Sequence, residues 1–149
     1  MVDPKQKGSR AELAARDELR KLTGLKFERT PGSGALSATH MMKGDLYIPD
    51  SSNHYAIEVK HYADDHFTSK YITDKTAQLS EWWEQAVRQG LQTNKNPLLI
   101  FKFDRSKFFA AFNDIPVQEL KPSSKWVYTY EGFYIMKLTD FAPLVKSWV

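Results

Sequence analysis

The segment Pro97-Leu-Leu-Ile-Phe-Lys-Phe103 constrains the fold most. Its apolar residues occupy successive positions instead of alternating, so as a strand it is apolar on both faces. Such a strand belongs at the centre of a sheet covered by helices on each side. Helical patterns flank it. Ala11, Ala15, Leu19 and Leu22 recur at helical intervals ahead of Gly24, and Leu79, Trp82, Trp83, Ala86 and Val87 do so ahead of Gly90. The expected helices are residues 10–23, opened by a Ser9–Glu12 capping box, and residues 75–89, closed by Gly90 as a left-handed cap. Strands are expected over 25–30, 44–48, 55–62, 97–103 and 107–112. A hairpin of 125–130 and 133–138 turns at Glu131-Gly132, and Asp140 caps a last helix carrying Phe141, Leu144, Val145 and Trp148. This order implies the α/β class, a mixed central β-sheet flanked by helices.

A chain of 149 residues has room for one such core, so residues 1–149 are expected to form a single domain preceded by a basic arm over Met1–Gly8. With no cysteine, a disulfide framework, a thiolate zinc site and a cysteine nucleophile are all excluded. No stretch approaches the roughly 18 apolar residues of a membrane span, and the first residues lack the apolar core of a signal peptide. A cytoplasmic location and no membrane partner are therefore expected. The 21 Lys and Arg against 18 Asp and Glu leave a net charge of +3, which tolerates a polyanionic partner without indicating one.

The chemistry lies in GDLYIPDSSNHYAIEVK, residues 44–60. On the strand around Glu58, side chains alternate, so Tyr55, Ile57 and Val59 build core while Glu58 and Lys60 share the other face. A hairpin turning between Ser51 and Ser52 sets Ile48 opposite Tyr55 and Asp45 opposite Glu58. Opposed like charges destabilise a strand pair, and a divalent cation between them reverses the sign. All-oxygen donors suit Mg²⁺ or Mn²⁺ better than Zn²⁺. The reading is a cation held by Asp45, Glu58 and the Val59 backbone carbonyl with Lys60 beside it, a combination suited to phosphodiester hydrolysis. The competing reading makes Asp45 and Glu58 solvated charges at a sheet edge, with Lys60 an ordinary partner of Glu58.

Asp45 followed by Glu58-Val59-Lys60 resembles the D…(D/E)-x-K motif of the PD-(D/E)XK nuclease superfamily. The order of elements is most similar to the archaeal-type Holliday junction resolvases, which also occur in phages. The matching features are Lys7-Gly8-Ser9 opening a helix that bears Glu12, then Arg29 and the small-residue loop holding Ser33. The hairpin follows, then a helix with Gln78 near its start and the Pro97–Phe103 strand. Gly44 stands where the superfamily's name has Pro, and nothing after about Pro116 matches. The resemblance implies a restriction-endonuclease-like core and a Mg²⁺-dependent endonuclease, with Mn²⁺ able to substitute. It implies catalytic roles for Glu12, Ser33, Asp45, Glu58 and Lys60, and adds Glu12 to the metal ligands, although the capping box alone also explains that residue. Lys7, Arg10, Arg29, Lys43 and Gln78 are the implied DNA contacts, each with an ordinary solvated reading beside it. The implied substrate is branched DNA, a four-way junction whose two symmetric cuts call for a homodimer, with Trp82 and Trp83, whose spacing from Leu79 marks a face packed on the sheet or on a partner subunit, as interface candidates. A phage-encoded member would act in the host cytoplasm. The rival readings are a nuclease acting on duplex or single-stranded DNA and a DNA-binding module without catalysis.

Overall fold

The computed structural model describes residues 4–30, 44–62, 77–103, 107–115, 127–130 and 132–149. In chain order the elements are helix α1 (Pro4–Thr23), strands β1 (Glu28–Arg29), β2 (Leu46–Tyr47) and β3 (Tyr55–Tyr62), helix α2 (Ala77–Thr93), strands β4 (Asn96–Phe103), β5 (Phe109–Phe112), β6 (Val127–Tyr130) and β7 (Phe133–Lys137), and a short helix α3 (Leu138–Phe141) running into a 3₁₀ turn at Ala142–Leu144. The strands form one mixed sheet in the order β1-β2-β3-β4-β5-β7-β6. Strands β3 and β4 pair in parallel, and the other neighbours pair antiparallel. A parallel pair needs a long crossover, and α2 lies on it.

Strand β4 sits where its composition demands. Leu98, Leu99, Ile100 and Phe101 are all fully buried. Leu98 and Ile100 join Ala11, Ala15 and Leu19 of α1 with Tyr55, Ile57 and Val59 of β3. Leu99 and Phe101 face the other way, with Leu79, Trp83 and Ala86 of α2. Trp83 stacks on Phe133, ring centres 4.5 Å apart. It is core, as packing against the sheet requires, and leaves the interface role to the half-buried Trp82.

The hairpin register is the expected one, with Leu46 opposite Ile57. Asn53 fixes it: its side chain accepts from the Ile48 N–H at 2.6 Å and donates to the Ile48 carbonyl at 2.8 Å, closing the turn as one more rung. Several boundaries differ from the sequence expectation. Helix α1 begins at Pro4, so residues 4–8 are helical instead of an arm, and Ser9 lies inside the helix instead of capping it. Proline's fixed φ suits a first helical turn, and Asp3-Pro4 is the start signal passed over. The first and second strands shrink to two residues each, and β5 starts at Phe109. Lys125 lies outside the described residues. The last helix starts at Leu138, with Lys137 at its cap and Asp140 within it. Pro143 leaves only a 3₁₀ turn after it.

Gly90 is not a cap either. The left-handed residue is Asn94 (φ 55°), with Lys95 N–H donating to the Gly90 carbonyl at 2.8 Å and Asn94 N–H to Leu91 at 3.4 Å, a Schellman closure. Gly90 is glycine because of space: a Cβ there would stand 2.6 Å from the Lys95 carbonyl oxygen and 3.3 Å from Pro97 N. In an open helix Gly→Ala gains about 1 kcal/mol. Here the clash is with backbone, and overpacking costs about 1–3 kcal/mol. Gly90→Ala is therefore expected to lower the unfolding free energy, read by urea denaturation; a gain in stability would show that the last turn of α2 does not press on β4.

Candidate active site

The site forms where β2 leaves β3. Gly44 adopts φ +95°, and a Cβ on it would lie 2.4 Å from the Ile57 carbonyl oxygen. Only glycine lets the chain pass this close to β3. Asp45 is then pinned on both sides of its backbone: its N–H donates to Ile57 O at 2.6 Å, and its carbonyl accepts from Thr30 N–H at 2.9 Å. Its carboxylate Oδ2 accepts from the Val59 N–H at 2.8 Å. In an extended residue N–H and C=O leave on the same side of the strand, so the Val59 carbonyl also faces the β2 side.

Glu58 and Lys60 face α2, on the opposite side of β3 from Tyr55, Ile57 and Val59. Glu58 is 3% exposed and is the buried charged residue among the described core. Its carboxyl is hydrogen-bonded to that of Asp45 and to the Gln89 side chain. Burial pushes Glu58 up to about 8, with the Asp45 charge adding to it and Lys60 opposing. Burial also pushes Asp45 up to about 6, with the Val59 N–H opposing and Glu12 adding. Two carboxyls in contact cannot both ionise cheaply, so the pair keeps a shared proton to higher pH than two separate carboxyls would.

Glu12, on α1, adds its charge to Asp45 from nearby, but its Oε1 is held by Arg29 Nε at 3.0 Å. Two of the three acidic groups are therefore in contact, and the third is drawn toward the β1 guanidinium. Among the described residues, no group of three or more acidic or histidine side chains is already arranged to hold a metal ion. Arg10 is exposed on α1, and Arg29 is about 40% exposed. Lys7 and Gln78 lie in the first turns of α1 and α2. Ser33 and Lys43 lie outside the described residues. Two residues beside the acidic pair were not singled out in sequence as members of the site: Gln89, and Trp82, whose ring centre is 6.0 Å from Lys60 Nζ. The seven-residue spacing that puts both on one side of α2 was the available signal.

A family model described as "Phage putative PDDEXK endonuclease" matches residues 3–145. The chain belongs to that family. Its name spells residue types that occur in that order at Asp45, Glu58 and Lys60. Protein D14 of Escherichia phage T5 is 45% identical over 115 residues, spanning 75% of this chain and 72% of that protein. A solved structure of Archaeoglobus fulgidus Hjc, a Holliday junction resolvase from an archaeal hyperthermophile, aligns over 93% of this chain and 88% of its own length, with 19% identity and a TM-score of 0.43. No helix among the described residues of the nuclease is long and apolar enough to cross a membrane.

Because Asp45 and Glu58 titrate above their usual range, the folded nuclease binds more protons than the unfolded chain between about pH 4 and pH 8. The pair's contribution to stability is complete below that window and is lost as the pH rises through 6 and 8. In the absence of divalent cations, the melting temperature is expected to fall by roughly 5 °C or more from pH 5 to pH 8.5. Glu58→Gln, which keeps the shape and removes the charge, should flatten the profile; parallel profiles for the two proteins would refute the shared proton.

Proposed function

We propose that this nuclease is a Mg²⁺-dependent DNA endonuclease, with Mn²⁺ able to substitute, acting on branched DNA and resolving four-way junctions as a homodimer. The observation that carries the chemistry is the contact of the Asp45 and Glu58 carboxyls, with Lys60 on the same face of β3 as Glu58. The donor set fits a hard cation: two carboxylates in contact, the Val59 carbonyl on the same side, Glu12 nearby and no sulfur ligand. Replacing the shared proton by a divalent ion relieves both the repulsion and the desolvation that raise the two pKa values.

Asp45, Glu58 and the Val59 carbonyl would hold the cation, with Glu12 joining once it exchanges Arg29 for it. A cation bound there supplies Lewis acidity toward a phosphate oxygen and a lowered pKa for a coordinated water. Lys60, supported against Trp82, orients the attacking water and neutralises charge developing on the phosphate. Arg29, Lys7, Arg10, Lys43, Gln78 and Ser33 are the further proposed contacts along the DNA. The choice of a junction rests on the order of motifs from Lys7-Gly8-Ser9 to Gln78. Resolution by paired cuts then requires two sites related by a two-fold axis.

Cleavage of a labelled synthetic four-way junction is expected with Mg²⁺ and to vanish in EDTA. Asp45→Asn should reduce cutting by about 100-fold or more while leaving gel-shift binding in place. Linear duplex of the same sequence should be cut at least about tenfold more slowly; equal rates would make the substrate ordinary duplex. Binding without nicking in Mg²⁺ or Mn²⁺ would mark a module that has lost catalysis.

A further inference from the structure

Helix α2 brings a polar side chain to the acidic pair that the chemistry above does not use. Gln89 is partly buried, and its side-chain amide hydrogen-bonds the Glu58 carboxyl. Its carbonyl Oε1 is shielded from solvent without a hydrogen-bond partner. Leaving a buried acceptor unpaired is costly, so a plain packing role is a poor account of an amide here.

The placement is doubly fixed. Since β3 and β4 are parallel, α2 runs back against β3. Lys60 lies against Trp82 at 6.0 Å, and Glu58, two residues earlier on the same strand face, meets Gln89, seven residues later on the same helix face. The two contacts occur in the order an antiparallel helix requires. Behind Gln89, Gly90 is pressed on the Lys95 carbonyl and Pro97, so the backbone carrying the amide is set by the start of β4.

We propose that Gln89 is a positioning residue for the cation site: its amide N–H holds the Glu58 carboxylate toward Asp45, and its Oε1 accepts a hydrogen bond from a water of the hydrated cation. The inference rests on the cation site proposed above and extends it to a residue that the motif resemblance assigned no part. Outer partners of this kind orient carboxylate ligands and change metal affinity about 10–100-fold when removed.

The test is calorimetric titration of MnCl₂ into the cation-free protein, wild type against Gln89→Leu and Gln89→Met, with melting temperatures and junction cleavage measured on the same samples. Both variants are expected to remain folded without Mn²⁺, because removing the unpaired carbonyl offsets the lost hydrogen bond to Glu58. Both should bind Mn²⁺ about 10–100-fold more weakly and show half-maximal cleavage at correspondingly higher Mn²⁺. Unchanged Mn²⁺ affinity in either folded variant overturns the proposal, and so does unfolding of both variants without Mn²⁺, which would make Gln89 a packing residue. A wild type that binds Mn²⁺ but cuts no DNA overturns the nuclease substrate alone, leaving Gln89 to be judged on affinity. A wild type that binds no Mn²⁺ overturns both readings.

Discussion

Two carboxylates forced together in a low-dielectric pocket are the constraint around which the rest of this structure is arranged. Left to packing energetics, Asp45 and Glu58 would be replaced by apolar residues, since a buried, desolvated pair of like sign gains nothing from its neighbourhood. The chain holds them instead with several backbone devices: the Gly44 close approach, the Asp45 hydrogen bonds to Ile57 and Thr30, and the Val59 N–H on Oδ2. A site whose groups are individually unfavourable needs a rigid frame. The frame is the parallel β3–β4 pair, whose central residues are entirely enclosed between α1 and α2.

Strand β3 serves two purposes through its two-residue period. Tyr55, Ile57 and Val59 anchor α1, while Glu58 and Lys60 face α2. Core and chemistry are interleaved along one strand, so a one-residue slip would carry both carboxylate and amine into the α1 core. The cost of that exchange is what makes the register secure. The Asn53 rungs at the turn then need only refine it.

That security explains which features could be read from the sequence. The limits of β3, the pairing of Leu46 with Ile57 and the enclosure of β4 follow from local alternation and from runs of apolar residues, both written in adjacent letters. Gly90 could not be read correctly, because the reason for it is the Lys95 carbonyl folding back onto the helix. The length of the last helix was misread for a more local reason: Pro143 was outweighed by the apolar spacing of Phe141, Leu144 and Val145. Within the site, Asp45, Glu58 and Lys60 come from one hairpin, so spacing alone brings them together. Gln89 arrives from a different element after a crossover, and a glutamine on a helix looks solvated until the face it occupies is known. The Glu12–Arg29 ion pair is likewise a meeting of α1 and β1, and it turns a residue expected to converge on Asp45 partly away from it.

The end of β3 away from the site is built on the opposite principle. There His54 Nε2 lies 3.0 Å from Asp114 Oδ2 and 2.9 Å from the Asn96 amide, and the Tyr55 hydroxyl donates to the same Asp114 oxygen at 2.8 Å. Burial and Asp114 push the Tyr55 hydroxyl far up, so it remains a donor across the working pH range. The His54 backbone N–H donates to the Trp148 backbone carbonyl at 3.1 Å, and Trp148 sets its ring edge-on to Phe27 at 5.4 Å. Residues beyond Pro116, which carried no motif, thus close the sheet through Phe141 and Trp148. Here one carboxylate oxygen gathers an imidazole and a hydroxyl under aromatic cover, while Asp114 Oδ1 has no partner. At the Asp45 end two carboxyls, groups of like sign once ionised, meet each other. One strand therefore carries a carboxylate met by neighbouring donors at one end and two carboxyls in contact at the other, and the first adds rigidity to the frame that holds the second.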